Sequence, residues 1–582
     1  MQDAERRVFR QLMKTLFKQV TYSLSKIIEE IDNGEIGLPD IQRPFVWRNA
    51  KVRDLFDSMY KGFPVGYLLF WASASEHQIG TNIKQKIPRV LIVDGQQRLT
   101  SLYAVLKGKQ VVGNDYKSYS IHIAFRPRDA KFEVTSAAIH KDHEFIPDIS
   151  PLLSGAVKRN RFGREFIEKL RRYRKSLSEA EEDKLYDAID QLYEISNYSF
   201  TVLELSANLN DEMVSEIFVR INSQGKSLKQ ADFILTLMSV YWEEGRSQLE
   251  QFCRKARLPS TGEASPFNYF IKPLPEQLLR VSVGIGVRRA RLEHMRALLR
   301  GKEEFERLKQ GQAYALDLQN WHEFLKVLLR AGYRSENMIT SKIALYYCYI
   351  MFLIGKRDYG VKPFDLRNTI ARWFFMNSLS KRYSGSPETV METDFVRLRK
   401  VKDAAGFIET LKRIINDTLT DDFWHITLPN ELESSTARSP SFFAYYAALN
   451  LLDAQILFSK MKVSELLDPA LKAKKSAIER HHLFPKNYLA KICIKKNNEV
   501  NQLANFALVE WSDNLRIKDK PPSEYFSEYA KRFSKAEIDK MRYWHALPDN
   551  FEQMDYPSFL LERRKLMAQI IRDGFHQLMS LN

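Results

Sequence analysis

The chain has 582 residues, 44% of them hydrophobic and 28% charged, and its 89 Lys and Arg against 72 Asp and Glu leave a net charge of +17. That length and balance suit a folded, soluble protein of several domains, and the basic surplus favours a polyanionic partner, because phosphates stabilise concentrated Lys and Arg. Three cysteines, Cys253, Cys348 and Cys493, form no CxxC pair, which excludes a disulfide framework and a Cys-ligated zinc knuckle and fits a reducing cytoplasm.

Met1 to Lys18 is charged throughout and lacks the apolar stretch of a signal peptide. The first 240 residues mix strands and helices. Arg89 to Val93 is a short β-branched run that meets Asp94-Gly95 and then a helical pattern, and Ser118–Phe125, Lys131–Thr135 and Tyr198–Leu205 also read as strands. Arg164–Lys175 and Glu179–Ile195 read as charged amphipathic helices between them. From Gln248 to Arg438 the pattern is helical almost everywhere, with apolar residues three and four apart in Leu278–Leu299, Ile343–Ile354 and Leu366–Leu379. The longest apolar run, Ile343–Gly355, falls short of the roughly 20 residues needed to cross a bilayer, so a buried helix and no membrane partner are expected. The polar stretch Asn430–Pro440 predicts a linker, and the last 140 residues are helical at both ends around a non-periodic centre, His481–Pro522.

That centre reads Ile-Glu-Arg-His481-His482-Leu-Phe-Pro-Lys486, then Asn505-Phe-Ala-Leu-Val-Glu-Trp-Ser-Asp-Asn514-Leu-Arg-Ile-Lys518. Hydrolysing a phosphodiester needs a base for water and a cation for the crowded charge. Histidine is the natural base near neutral pH. Adjacent histidines on a strand point to opposite sides, so both serve one centre only where the backbone turns, and Pro485 supports a break there. The ordered set resembles the ββα-metal (HNH) nuclease fold, and more narrowly its DUF1524 branch. The resemblance implies His482 as general base, His481 and Asn514 as metal ligands, Asn505 as the brace of the loop that holds the base, and Lys518 as a phosphate contact. The implied cofactor is a divalent metal, Mg²⁺ or Mn²⁺. Because many HNH enzymes have an acid where His481 stands, the neutral ligand shifts preference toward Mn²⁺, Ni²⁺ or Zn²⁺.

Three N-terminal signatures stand apart: Gln42-Arg43-Pro44, Asp94-Gly95-Gln96-Gln97-Arg98, and Phe218-Val-Arg220-Ile-Asn222-Ser-Gln-Gly225. In the second, a buried strand ends at Gly95 and a helix starts, so unsatisfied N–H groups lie where Gln96, Gln97 and Arg98 sit. That is a ready anion site, Arg98 can fork onto a phosphate, and Asp94 is placed to hold a cation. The third predicts a helix–turn–helix with Arg220, Asn222 and Lys226 at its corner. Together they resemble the DUF262 family, a ParB-like nucleotide-binding domain, over roughly residues 20–240. The resemblance implies binding and hydrolysis of a nucleoside triphosphate at Asp94, Gly95, Gln96, Gln97 and Arg98, with Gln42, Arg43, Arg220 and Asn222 contributing.

DUF262 followed by DUF1524 is the layout of GmrSD-type, modification-dependent (type IV) restriction enzymes, shared by the BrxU and SspE phage-defence proteins. The expected fold is α+β and mainly helical: a ParB-like α/β domain over 1–245, a helical middle over 246–430, and an HNH nuclease within a helical domain over 431–582. The expected partners are double-stranded, modified phage DNA, a nucleotide, and, left open, a second copy of the chain. The loop Lys381-Arg382-Tyr383 beside Trp373, Phe374 and Phe375 is the favoured DNA contact among several basic clusters. Two alternatives share these residues: a nucleotide-gated DNA-binding switch with an inactive HNH remnant, and an RNA-directed nuclease.

Overall fold

The computed structural model describes residues 16–580 apart from 38–44, 46, 73–87, 114–116, 175–176, 222–233, 236–237, 239–240, 261, 293–297, 300, 437 and 469–478. The chain is mainly helical, with a small mixed sheet toward the N-terminus, and it divides into two compact units, Met1–Arg246 with Glu293–Arg300, and Ser247–Leu292 with Gly301–Asn582.

In the first unit the strands are β1 (Phe17–Ser23), β2 (Ile36–Gly37), β3 (Leu68–Ala72), β4 (Val90–Asp94), the short ribbons β5 (Val111–Val112) with β6 (Ser118–Tyr119) and β7 (Ile123–Arg126) with β8 (Lys131–Val134), and β9 (Ser199–Leu205). The main sheet runs β1-β9-β3-β4-β2, antiparallel between β1 and β9 and between β3 and β4, parallel elsewhere. Interior strands β3 (LLFWA) and β4 (VLIVD) are almost continuously apolar and buried. Strand β1 (FKQVTYS), at the edge of the sheet among the described residues, is largely exposed and carries polar side chains. Helices Leu24–Asp32, Asn49–Tyr60 and Gln96–Lys107 bury their apolar stripes in the same core, with Ile27, Val52, Phe56, Leu99 and Leu102 at its centre. Capping sets boundaries: Ser23 accepts from the Lys26 N–H at 3.2 Å, and Ser178 with Glu181 forms a reciprocal box at the start of Glu179–Tyr193.

The second unit is a helical assembly. Helices Pro275–Val287 and Lys302–Ala315 approach so closely that a Cβ on Gly311 would lie 2.5 Å from the Ser282 carbonyl oxygen, so only glycine fits there. Lys342–Arg357 is buried along nearly its whole length, and Pro363–Ser380 packs beside it with Trp373, Phe374 and Phe375 wholly inside. The helix expected over Leu278–Leu299 ends at Val287, because Arg288 turns left-handed (φ 56°) and pairs with Asp358. The polar 430–440 stretch connects the turn Leu428–Glu431 to helix Pro440–Leu451. That helix and Pro363–Ser380 both pack on the long terminal helix Tyr556–Ser580. Among the described residues no helix is long and apolar enough to cross a membrane.

His545 is a buried histidine with one acceptor, donating from Nε2 to the Gln455 carbonyl at 3.0 Å, and burial pushes its pKa from 6.5 down to about 3. Folded, it stays neutral between those values; unfolded, it takes a proton below its ordinary pKa. Stability is therefore fully present above about pH 6.5 and falls as pH drops toward 3, by up to about 1.4 kcal/mol per pH unit from this one group. Urea unfolding followed from pH 7 to pH 4 should show that slope and His545→Gln should flatten it. Equal slopes for the two proteins would rule His545 out as the source.

Candidate active site

Strands β10 (Glu479–His482) and β11 (Phe506–Val509) pair antiparallel, with His481 opposite Ala507 and His482 opposite Phe506, and β11 runs on into the helix Trp511–Ile517. The result is a ββα hairpin-and-helix with His481 and His482 at the end of the first strand and Asn514 in the middle of the helix. His481 is 3% exposed and its Nδ1 lies 2.9 Å from Asn514 Oδ1. His482, half-buried, sends Nε2 to Asn501 Oδ1 at 2.9 Å, with its ring against Phe506. The two histidines thus face different partners, as neighbours on a strand must.

Asn505 holds the turn that follows. Fully buried, it accepts from the Phe484 N–H at 2.8 Å through Oδ1 and donates from Nδ2 to the Phe484 and Val500 carbonyls at 3.1 and 3.0 Å. Its own carbonyl takes the Leu483 N–H at 2.8 Å, and Tyr525 donates its hydroxyl to the Leu483 carbonyl at 2.8 Å. Arg563, also fully buried, donates to the carbonyls of Ala504 (2.6 Å), Phe506 (2.9 Å) and His545, bracketing Asn505 on both sides.

The donor set fits a divalent cation. An imidazole nitrogen and an amide oxygen, the ligand types such an ion could take, meet where His481 Nδ1 lies 2.9 Å from Asn514 Oδ1. Metal-free, that contact is an N–H donated to the amide oxygen, and His481 Nε2 on the other side of the ring is buried with no hydrogen-bond partner among the described residues. Burial pushes the His481 pKa down to about 4, which keeps the imidazole neutral as a ligand must be, and burial also lowers that of His482, with Lys486 adding to the effect and the Asn501 bond opposing it. Among the described residues no group of three or more His, Cys, Asp or Glu comes together as a closed metal cage. Around Asn514 the helix exposes Trp511, Leu515 and Arg516, with Lys518 just beyond it. Asn501, Arg563, Trp511 and Arg516 carry no sequence signal that separates them from ordinary turn, core and surface residues.

The N-terminal strand–turn–helix is built around a glycine. Gly95 has φ 94°, and a Cβ there would sit 2.2 Å from Leu68 Cδ2, so both the backbone and the neighbour demand Gly between Asp94 and Gln96. Arg98 does not extend outward. Its guanidinium donates to the Val65 carbonyl at 2.6 Å and the Tyr67 carbonyl at 2.7 Å, and lies 3.3 Å from Asp94. The fork expected for a phosphate clamps the 65–67 loop onto the helix instead, leaving half-buried Asp94, Gln96 and Gln97 around the turn. Arg220 is exposed and pairs with Glu216. Gln42, Arg43 and Asn222 lie outside the described residues.

The basic clusters are largely consumed by ion pairs. Helix Pro363–Ser380 ends as Lys381 turns left-handed (φ 54°), and the chain folds back. Tyr383 is consequently 1% exposed, edge-on to Tyr347, with its hydroxyl donating to Asp394 at 2.9 Å. Arg382 pairs with the same carboxylate and Lys381 with Glu431 at 3.1 Å. The loop expected to contact DNA is therefore found with the Tyr383 ring buried and both cations in ion pairs. Arg159 with Asp190, Arg171 with Glu182 and Arg288 with Asp358 repeat the pattern.

Comparison with known proteins bears on the first unit most directly. Residues 24–239 match the family model of the GmrSD restriction endonuclease, N-terminal domain. That match supports a GmrSD-type restriction enzyme family for this chain. The chain is also 23% identical over 551 residues to an uncharacterized protein of Methanocaldococcus jannaschii, with 87% of each chain covered. At that coverage both units, and not the first alone, have counterparts in the relative.

Proposed function

We propose that this chain is a metal-dependent DNA endonuclease that restricts modified phage DNA in the cytoplasm, with a C-terminal HNH centre and an N-terminal, ParB-like domain whose bound nucleotide regulates cutting. The observation that carries the reading is the ββα arrangement in which His481 Nδ1 and Asn514 Oδ1 meet at 2.9 Å beside His482; the GmrSD match supports restriction as its setting. When bound, a divalent metal supplies charge neutralisation at the scissile phosphate and the leaving oxygen. His481 and Asn514 would hold it. The Nε2–H of His482 is committed to Asn501, which leaves Nδ1 as the lone pair that takes a proton from the attacking water. Asn505 fixes the turn that orients that ring, and Arg516 and Lys518 hold the phosphate backbone beside it. Asp94, Gln96 and Gln97 take the nucleotide, with Arg98 shaping the loop that faces them.

The deciding experiment is cleavage of modified against unmodified phage DNA by the full chain, with Mg²⁺ or Mn²⁺ and with chelator, in the presence and absence of each nucleoside triphosphate. Metal-dependent cutting of the modified DNA, altered by a nucleotide, is expected. Binding without any cutting would make the chain a nucleotide-gated clamp, and cutting of RNA alone would make it an RNA nuclease; either outcome overturns the proposal. The same assignment predicts salt dependence. Losing one phosphate contact flattens the log–log slope of affinity against salt by about 0.9, so Arg516→Ala with Lys518→Ala should flatten it by up to about 2. An unchanged slope, read by fluorescence anisotropy on a labelled duplex, would place the DNA elsewhere.

A further inference from the structure

The helical second unit contains a cavity of about 390 Å³, within the range of small-molecule sites and lined by none of the residues used above. One wall is a single helix face, His322, Leu325, Lys326 and Leu329, spaced three and four apart on Leu318–Arg330. The facing segment is Asn268-Tyr269-Phe270, with Arg334, Ser464 and Asp468 completing the lining.

These walls are held before any ligand arrives. Asn268 Oδ1 accepts from the Phe270 and Ile271 N–H groups at 2.9 and 2.5 Å, locking the turn. His322 donates from Nε2 to the Ser265 carbonyl at 2.8 Å, so its Nδ1 keeps a lone pair. Tyr269 is braced edge-on by Phe267 and is nevertheless 59% exposed, an aromatic ring kept at the mouth with most of its surface uncovered. Among the described residues neither Lys326 nor Arg334 has an ion pair, unlike the basic clusters elsewhere, and Arg334 Nε is buried with no hydrogen-bond partner. Apolar walls, a stacking ring, an acceptor lone pair and two cations without an ion pair among the described residues, set against the one carboxylate of Asp468, describe a flat, hydrogen-bonding ligand that carries negative charge.

We propose that this cavity receives a single nucleotide, with its base between Tyr269 and the Leu325–Leu329 face and its phosphate on Lys326 and Arg334. The nucleotide comes from one of two sources. One is a base rotated out of a DNA strand, which rests on the nuclease reading above and gives that enzyme a place to inspect a base modification. The other is a free nucleotide.

The test uses the full chain with chelator, so that DNA stays uncut, and two probes. A short duplex carrying one 2-aminopurine reports unstacking by fluorescence, and calorimetry with each nucleoside monophosphate, on the Asp94→Ala chain, reports free nucleotide. The variants are Tyr269→Ala, Arg334→Met and Leu329→Trp, the last filling the cavity from a partly exposed position; melting curves check that each folds. A signal from either probe in the parent chain, weakened about tenfold or more by Tyr269→Ala and by Leu329→Trp, is expected from the loss of one stacking contact, and which probe responds identifies the source. No response from either probe, or a response indifferent to all three variants, overturns the proposal. The two readings fail separately: if cutting needs His482 while both probes stay silent, the cavity assignment falls alone, and if His482→Ala still cuts while the probes respond, the nuclease assignment falls alone.

Discussion

His482→Ala is expected to lower the rate of DNA cleavage by at least about 10²-fold, the usual contribution of a positioned general base. The side chain is half-buried and hydrogen-bonds to Asn501, so removing it leaves the Asn505 brace and the β10–β11 pairing in place. Melting temperature should therefore move little. Mn²⁺ binding by calorimetry should survive as well, because the proposed ligands are His481 and Asn514. Asn514→Ala should show the converse, with metal affinity lost together with cutting. A nicking assay on supercoiled DNA checks the first variant, and near-normal cutting by it would mean that the base is another group.

The largest effect on stability is expected from Arg563→Met. Arg563 is wholly buried and spends its guanidinium on three backbone carbonyls, those of Ala504, Phe506 and His545. Methionine fills similar space and offers no donor, so the three acceptors are left without that partner in a place water does not reach. At about 1–3 kcal/mol for each buried group left unsatisfied, a loss of about 3 kcal/mol or more follows. Urea denaturation should show a lower midpoint at an unchanged slope. Cleavage should fall with it, since Ala504 and Phe506 flank Asn505, which holds the turn beside the proposed base. Arg563→Lys should recover only part of the loss, because a single ammonium cannot span the same spread of carbonyls. A midpoint that does not move would show the pocket to be hydrated or the carbonyls re-partnered.

Much of this protein is determined by sequence alone, wherever residue type and short-range spacing carry the information. Helices Lys342–Arg357 and Pro363–Ser380 are written as apolar residues at helical spacing, and β4 and β9 as short apolar or alternating runs. The ordered His481, His482, Asn505 and Asn514 stand out because their chemistry is in their side chains, and Asp94-Gly95 because the pair breaks a buried strand just before a helical pattern; that Gly95 has φ 94° is decided by the packing around it. Where meaning depends on a distant partner, sequence is silent. Edge strand β1 looks like polar coil until β9 pairs with it. Asn501 looks like any turn asparagine until the backbone brings it under His482. Arg98 looks like a phosphate fork, and only packing shows it gripping the 65–67 loop. Lys381, Arg382 and Tyr383 look like a nucleic-acid surface, yet Asp394 and Glu431 reach them and the ring is buried. A charge or a donor has its sign and reach from the residue itself; whether it is already spent is decided by which group the folded chain sets within about 3 Å of it.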